Sequence, residues 1–163
     1  IYALQIAKAM GAKVAITSSS DDKLEKAKEL GADFTVNYHT DPQWGETVSA
    51  WTGGNGVDHV VEVGGPATLA QSIKACRIGG SIVLIGVLTG IEGTIPTASL
   101  MRKQIRLTGI IVGSHEEQTE FVRALENTGI KPVIDTTFPL ERLADAFRFE
   151  ESGKHFGKIC IAI

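Results

Sequence analysis

Residues 13–38 limit the possible folds of this chain more than any other stretch. They begin with an apolar run at 14–16, which is typical of a buried strand. Ser20 then stands where a helix N-cap is expected, and apolar residues recur at helical spacing up to Gly31. A second apolar run covers residues 34–37. Strand, helix and strand within so few residues predict a βαβ unit, whose two strands lie parallel and are joined by a right-handed crossover.

The end of the first predicted strand carries hydroxyl side chains instead of a carboxylate. The order is Thr17, Ser18, Ser19, Ser20, followed by Lys23. In a dinucleotide-binding fold an Asp or Glu usually stands here when the cofactor is NAD, because the carboxylate binds the ribose 2′-hydroxyl. Serine hydroxyls and a lysine can instead donate hydrogen bonds to a 2′-phosphate. The alternative is that the serines only cap the helix and the lysine is solvated, and these residues alone leave both interpretations open.

Glycines follow two later predicted strands. Residues 57–63 end at Gly64 and Gly65, and residues 81–85 end at Gly86. At the carboxyl edge of an open α/β sheet, glycine lets the backbone approach a bound ligand. One such glycine indicates only a turn, but two successive strands with this ending favour a ligand crevice. The fold class that these patterns predict is α/β, a doubly wound parallel sheet.

The remaining pattern completes that sheet except at its start. Further helices are predicted over residues 1–10, 44–52, 67–77, 115–128 and 140–152, with one helical turn at 100–103, and further strands over 105–112, 133–138 and 157–163. A fold of this kind normally has a strand and a glycine-rich phosphate loop ahead of its first helix, and neither precedes residues 1–10. We therefore expect a sheet that is truncated before its first strand and loop, with a gap between its two halves.

Composition and charge exclude several classes of function. The 163 residues carry a net charge of −3 without a basic block, so nucleic acid and anionic membranes are poor partners, and no apolar stretch is long enough to span a bilayer.

Cys76 and Cys160 stand in apolar surroundings without a CxxC motif, which predicts buried thiols and a cytoplasmic protein. No histidine is paired with another His or Cys at ligand spacing, so no metal site is predicted. Glu62 is a candidate buried carboxylate whose role, structural or catalytic, the pattern leaves open.

The order of several motifs resembles the cofactor domain of the medium-chain dehydrogenase/reductase superfamily, and most closely its alcohol dehydrogenase-like and quinone oxidoreductase-like branches. The runs that carry the resemblance are AKAMGAKVAITSSSDDKLEKAKELGAD, NY, GGNGVDHVVEVGG, IGGSIVLIG and SGKHFGKICIAI. Together they cover essentially the whole chain.

The resemblance implies a Rossmann-like domain and a set of cofactor contacts. Residues 1–131 would form the NAD(P)-binding domain, and residues 132–163 would pack against a catalytic domain that the sequence does not contain. The resemblance implies a 2′-phosphate pocket at Ser18, Ser19, Lys23 and Tyr38, and two strand ends that line the cofactor at Val63, Gly64, Gly86 and Val87. It implies a strand beside the nicotinamide ring at Ile110, Ile111 and Val112. It also implies a basic position near the phosphates at Lys158. The edge strand at 105–112 would join two copies into a homodimer.

The function that the resemblance implies is that of an NADP(H)-dependent oxidoreductase, with NAD less expected. It would transfer hydride between the nicotinamide and a small-molecule alcohol or carbonyl, quinone or enone. No catalytic residue is assigned within the chain, which alone is expected to be inactive, and any zinc ligands would lie outside it. A non-catalytic nucleotide-binding module is the alternative. A methyltransferase-type sheet is disfavoured because it calls for an acidic residue near Ser18.

Overall fold

Helices and strands alternate along nearly the whole chain. The computed structural model describes residues 1–163. The helices are α1 (Tyr2–Ala9), α2 (Asp21–Glu29), α3 (Trp44–Trp51), α4 (Pro66–Ala75), α5 (Thr97–Arg102), α6 (His115–Thr128) and α7 (Leu143–Glu151), the last preceded by a 3₁₀ turn at Leu140–Arg142. The strands are β1 (Ala15–Ser18), β2 (Phe34–Asn37), β3 (Val57–Glu62), β4 (Cys76–Leu84), β5 (Arg106–Gly109), β6 (Ile134–Pro139) and β7 (Lys158–Ala162).

Local chemistry explains why α2 forms between β1 and β2. The Ser20 hydroxyl accepts a hydrogen bond from the Lys23 amide at 3.4 Å, which confirms the predicted N-cap. Asp21 and Asp22 lie in the first turn, where negative charge is favourable at the positive end of the helix dipole. Leu24 and Ala27 are the buried residues of the helix, one turn apart on the face that packs toward the strands.

All strand pairs are parallel, but they form three sheets rather than one. β1 pairs with β2, β3 with β4 and β4 with β5, while β6 and β7 form a separate pair. The α/β fold with parallel sheets is confirmed. β1 and β3 have no hydrogen bonds to each other, so the predicted gap between the two halves of the sheet is present.

Two predicted strand limits are wrong, and strand pairing explains both. The strand expected over residues 105–112 ends at Gly109, because its partner β4 ends at Leu84 and only one further bond, from the Ile110 amide to the Leu84 carbonyl, follows. β4 begins at Cys76 instead of residue 81, since Cys76 pairs with Val57 across a register shift. Consequently α4 ends at Ala75 and not at residue 77.

The core lies on both sides of α4. Leu69, Ile73, Cys76, Ile82 and Ile105 form one buried cluster, and Val36, Trp44, Val48 and Ala75 form a second. α4 contributes to both clusters and therefore connects the β3–β4–β5 sheet with α3 and the β1–β2 pair. Cys76 is buried as predicted, whereas Cys160 is only half-buried, and both are free thiols.

The C-terminal part of the chain contacts α1 and α2. β6, β7 and α7 pack together, and Phe156, between α7 and β7, is buried. The Lys26 ammonium lies 5.6 Å from the centroid of the Phe156 ring, and the Gln5 amide donates to the Lys131 carbonyl at 2.8 Å. Packing of residues 132–163 against a further domain stays a prediction. None of the helices is both long enough and apolar enough to cross a membrane.

Candidate functional site

The carboxyl end of β1 brings Ser18 and Tyr38 together. The Tyr38 amide donates to the Ser18 carbonyl at 3.1 Å, and the Ser18 hydroxyl oxygen accepts from the Ser20 amide at 3.2 Å. That geometry leaves the Ser18 hydroxyl proton free to donate. The Tyr38 side chain is exposed, and its ring centroid lies 5.3 Å from that of His39.

Ser19 and Asp21 complete the polar surface at this strand end. Ser19 is exposed, and its carbonyl accepts from the Asn37 side-chain amide at 3.4 Å. The same amide nitrogen donates to the Asp21 carboxylate at 2.7 Å. Asn37 therefore binds one of the two carboxylates in the first turn of α2, that of Asp21, while the hydroxyls of Ser18 and Ser19 stay available.

Two lysines that the resemblance assigns to the phosphates make other contacts. The Lys23 ammonium donates to the Gly153 carbonyl at 2.5 Å, which connects α2 to the loop after α7. The Lys158 ammonium lies over the Tyr2 ring, 5.2 Å from its centroid. Neither lysine has a hydrogen bond to Ser18, Ser19 or Tyr38.

The ends of β3 and β4 form a second group, in which the two backbones touch. A Cβ placed on Gly86 would lie 2.1 Å from the Val63 carbonyl oxygen, so only glycine fits there. Gly65 has a φ of +93°, and a Cβ at that position would come within 3.1 Å of the Val87 Cα. Val63 and Val87 remain 50% and 53% exposed. The Gly64–Gly65 turn and Gly86 therefore form a shelf of backbone without side chains, and Val63 and Val87 form its apolar rim.

Polar side chains hold this shelf from two directions. Glu62 is 3% exposed, and its carboxylate accepts from the amides of Gly64 at 2.7 Å and Gly65 at 3.1 Å. The Thr89 amide and hydroxyl both donate to the Gly64 carbonyl, at 2.8 and 2.7 Å. Of the two roles left open for Glu62, the structural one accounts for all its contacts. Thr89 was missed by sequence reasoning, since it lies in a Thr- and Gly-rich loop with no periodicity.

Ile110, Ile111 and Val112 follow the end of β5. Their side chains are 51%, 87% and 85% exposed. They belong to a loop and not to the predicted strand, but β5 ends at the same edge of the sheet as β3 and β4 because all three strands are parallel. Their apolar side chains therefore lie at the same edge of the sheet as the shelf.

One cavity of the structure is separate from these groups. It measures about 450 Å³ and lies beside the C-terminal end of α4, where none of its lining residues belongs to the predicted site. Within it the Lys103 ammonium donates to the carbonyls of Ile73, Lys74 and Cys76 at 3.0, 2.7 and 2.7 Å. Burial lowers the pKa of Lys103. Since its donors are bound to backbone, this lysine caps a helix.

The two groups fit the parts of a dinucleotide. The hydroxyl donors of Ser18 and Ser19 suit ribose and phosphate oxygens at the end of β1. A side-chain-free backbone shelf with an apolar rim suits a flat ring at the ends of β3, β4 and β5. No three His, Cys, Asp or Glu side chains converge on a position that could hold a metal ion.

The sequence of this chain is similar to those of known dehydrogenases. The family model described as zinc-binding dehydrogenase matches residues 1–127. The zinc-type alcohol dehydrogenase-like protein of Schizosaccharomyces pombe is 41% identical over 167 residues, which cover 99% of this chain and 48% of that protein. The chain spans about half the length of the curated relatives it matches.

Solved structures share the fold over nearly the whole chain. The structure of an NAD-dependent alcohol dehydrogenase superposes with a TM-score of 0.88 at 40% identity, covering 99% of this chain and 47% of that one. A 2-octenoyl-CoA carboxylase reductase in complex with NADP and 2-octenoyl-CoA gives a TM-score of 0.87 at 26% identity, covering 98% and 40%. By its sequence and its fold, this chain belongs to the zinc-binding dehydrogenase family of the medium-chain dehydrogenase/reductase superfamily.

Proposed function

We propose that the chain is the nicotinamide-dinucleotide-binding part of an oxidoreductase and that it prefers NADP(H) to NAD(H). The observation that carries the proposal is the pair of groups at the strand ends, free hydroxyls beside Tyr38 and a bare backbone shelf beside Val63 and Val87. Ser18, Ser19 and Tyr38 would contact the adenosine end. Val63, Gly64, Gly86, Val87 and the loop Ile110, Ile111 and Val112 would contact the nicotinamide end.

The preference for NADP(H) depends on the side chain at residue 18. The similar solved structures include an NAD-dependent enzyme and an NADP complex, so the shared fold accommodates both cofactors. Ser18 carries no charge that would repel a 2′-phosphate, whereas an Asp or Glu at this residue would. To bind the phosphate, the Lys23 ammonium would give up its hydrogen bond to the Gly153 carbonyl and donate to a phosphate oxygen instead. Lys158 would take part only after leaving the Tyr2 ring.

The proposed substrate class is supported by the relatives and not by residues of this chain. Relatives are named alcohol dehydrogenases and quinone oxidoreductase-like proteins, which supports hydride transfer to or from an alcohol or carbonyl, quinone or enone. When bound, the nicotinamide supplies the hydride chemistry, and the residues of this chain bind and orient it. Substrate contacts would be made by a region that corresponds to the part of the longer relatives that this chain does not match. The same region would supply any zinc ligands.

A homodimer through β5 is part of the proposal. β5 pairs with β4 along one edge only, and the residues that follow it are apolar and exposed. A free strand edge is a natural site of pairing with a second copy.

Replacing Ser18 with Asp tests the cofactor preference. The S18D carboxylate would repel the 2′-phosphate and accept from the ribose hydroxyls of NADH. We expect the Kd for NADPH to rise by about tenfold or more, and the Kd for NADH to fall. Titration of both reduced cofactors by their fluorescence measures the two constants.

A matched variant separates local repulsion from a change in net charge. Gln118→Glu adds the same charge to an exposed residue of α6. We expect it to leave both constants unchanged. Unaltered NADPH affinity in S18D would contradict the assignment of Ser18, and the absence of binding of either cofactor to the wild type would contradict the proposed function.

A further inference from the structure

Glu62 is a buried carboxylate at the end of β3 that makes four side-chain hydrogen bonds. One oxygen, Oε1, accepts from the amides of Gly64 and Gly65 and from the Thr68 hydroxyl, the last at 2.6 Å. The other, Oε2, accepts from the hydroxyl of Ser72, which is 1% exposed. All four partners can act as donors, which matches an acceptor-only carboxylate.

The side chain and the backbone of Glu62 have separate roles. Its carbonyl accepts from the amides of Ile85 and Gly86 at 2.8 and 3.2 Å, so the junction of β3 and β4 does not depend on the carboxylate. The carboxylate contacts only the Gly64–Gly65 turn and two hydroxyls of α4, those of Thr68 and Ser72. Two consecutive glycines are the most flexible backbone that a chain can offer, and an ordered turn here needs an external constraint.

We infer that Glu62 is a positioning residue of the cofactor site, which fixes the Gly64–Gly65 turn in the shape of the shelf. This inference rests on the proposed function. Glu62 binds the two amides of the turn, and Thr89 binds the Gly64 carbonyl from the loop after β4. The turn is thereby held through the amides of Gly64 and Gly65 and through the Gly64 carbonyl. Gly65 has a φ of +93° in this turn. Shape, and not charge, is what Glu62 supplies.

Substitutions of Glu62 separate shape from charge. E62Q keeps an acceptor oxygen for the turn, and its amide can donate to Ser72. E62D keeps the charge but is one methylene too short to contact both the turn and Ser72. We expect the Kd for NADPH, measured by fluorescence titration of the full chain, to rise about tenfold in E62A and E62D and to stay within about threefold of wild type in E62Q.

Ser72→Ala is the control for a loss of stability. It removes the partner of Oε2 and leaves the contacts of Oε1 with the turn. We expect S72A to lower the melting temperature as E62A does while it retains NADPH affinity. Equal loss of affinity in S72A and E62A would assign the effect to general destabilisation and overturn the inference. Wild-type affinity for NADPH in E62A would also overturn the inference. The same holds if E62D binds NADPH and E62Q does not.

Amide exchange tests the same role without cofactor. In the unliganded protein we expect the amides of Gly64 and Gly65 to exchange slowly in the wild type and E62Q and rapidly in E62A. If the wild type binds neither NADPH nor NADH, the proposed function fails. Equal exchange at Gly64 and Gly65 in the wild type and E62A would overturn the positioning role whatever the cofactor result.

Discussion

At the scale of single residues, Asp33 connects α1 with the two strands of the first βαβ unit. Its carboxylate accepts from the Lys8 ammonium of α1 at 2.8 Å and from the Val14 amide, just before β1, at 2.7 Å. Asp33 itself lies one residue before β2. The hydrogen bond from Lys8, followed by the one from Val14, holds the pKa of Asp33 below its ordinary value.

This shift predicts how stability depends on pH. A carboxyl whose pKa is lower in the folded state stabilises the fold above its unfolded pKa, and that contribution is lost as pH falls through the folded pKa. We therefore expect wild-type stability to decline below about pH 4, and Asp33→Asn to be less stable at neutral pH with a shallower decline in acid. Urea midpoints between about pH 2.5 and 7 give both curves.

The difference between the two curves isolates Asp33. Other carboxyls with lowered pKa, among them Asp58 and Asp135, contribute to the acid decline of both proteins. Glu92→Gln, at an exposed loop residue, serves as the control and should follow the wild-type curve. Parallel curves for the wild type and D33N would show that the ion pair with Lys8 adds nothing to stability.

At the scale of elements, β4 carries the core and offers a matched pair of isoleucines. Ile82 is fully buried against α4 and β5, whereas Ile78 in the same strand is 66% exposed. Ile82→Ala leaves a cavity and should cost about 2–5 kcal/mol of unfolding free energy. Ile78→Ala should cost less than about 0.5 kcal/mol, because little apolar area is lost from the interior. Equal urea midpoints for the two variants would contradict this description of the core.

Sequence patterns predicted the elements better than their ends. The helix at His115–Thr128 was predicted with correct limits. In the structure Ser114 and Glu117 form a capping box at its start, and Gly129 ends it with a φ of +68°. These signals are local. The limits of β4 and β5 depend on the partner strand, as the pairing of Cys76 with Val57 shows, and apolar composition alone does not contain that information.

The candidate site divides in the same way. Because Gly86 follows a strand, close contact of the backbone was predicted there. In the structure a Cβ on Gly86 would collide with Val63. The contact of Lys23 with Gly153 could not be predicted, since 130 residues separate the two along the chain. Thr89 likewise depends on how a loop folds over Gly64. Residues placed by a strand end are predictable, and residues placed by tertiary packing are not.

At the scale of the whole molecule, exposed apolar side chains extend from the free edge of β5. Ile111 is 87% exposed, and in a dimer formed through this edge a two-fold axis would bring the two copies of the loop close together. Ile111→Lys would then place two ammonium groups in an interface from which water is excluded. Because burying unpaired like charges is costly, we expect the dimer to dissociate.

Sedimentation velocity on the full chain tests this arrangement. We expect the wild type to sediment as a dimer and I111K as a monomer. Ile78→Lys introduces the same charge at an exposed isoleucine of β4, away from the free edge, and should remain dimeric. A dimeric I111K would place the interface elsewhere, and a monomeric wild type would show that the exposed loop after β5 serves the cofactor shelf alone.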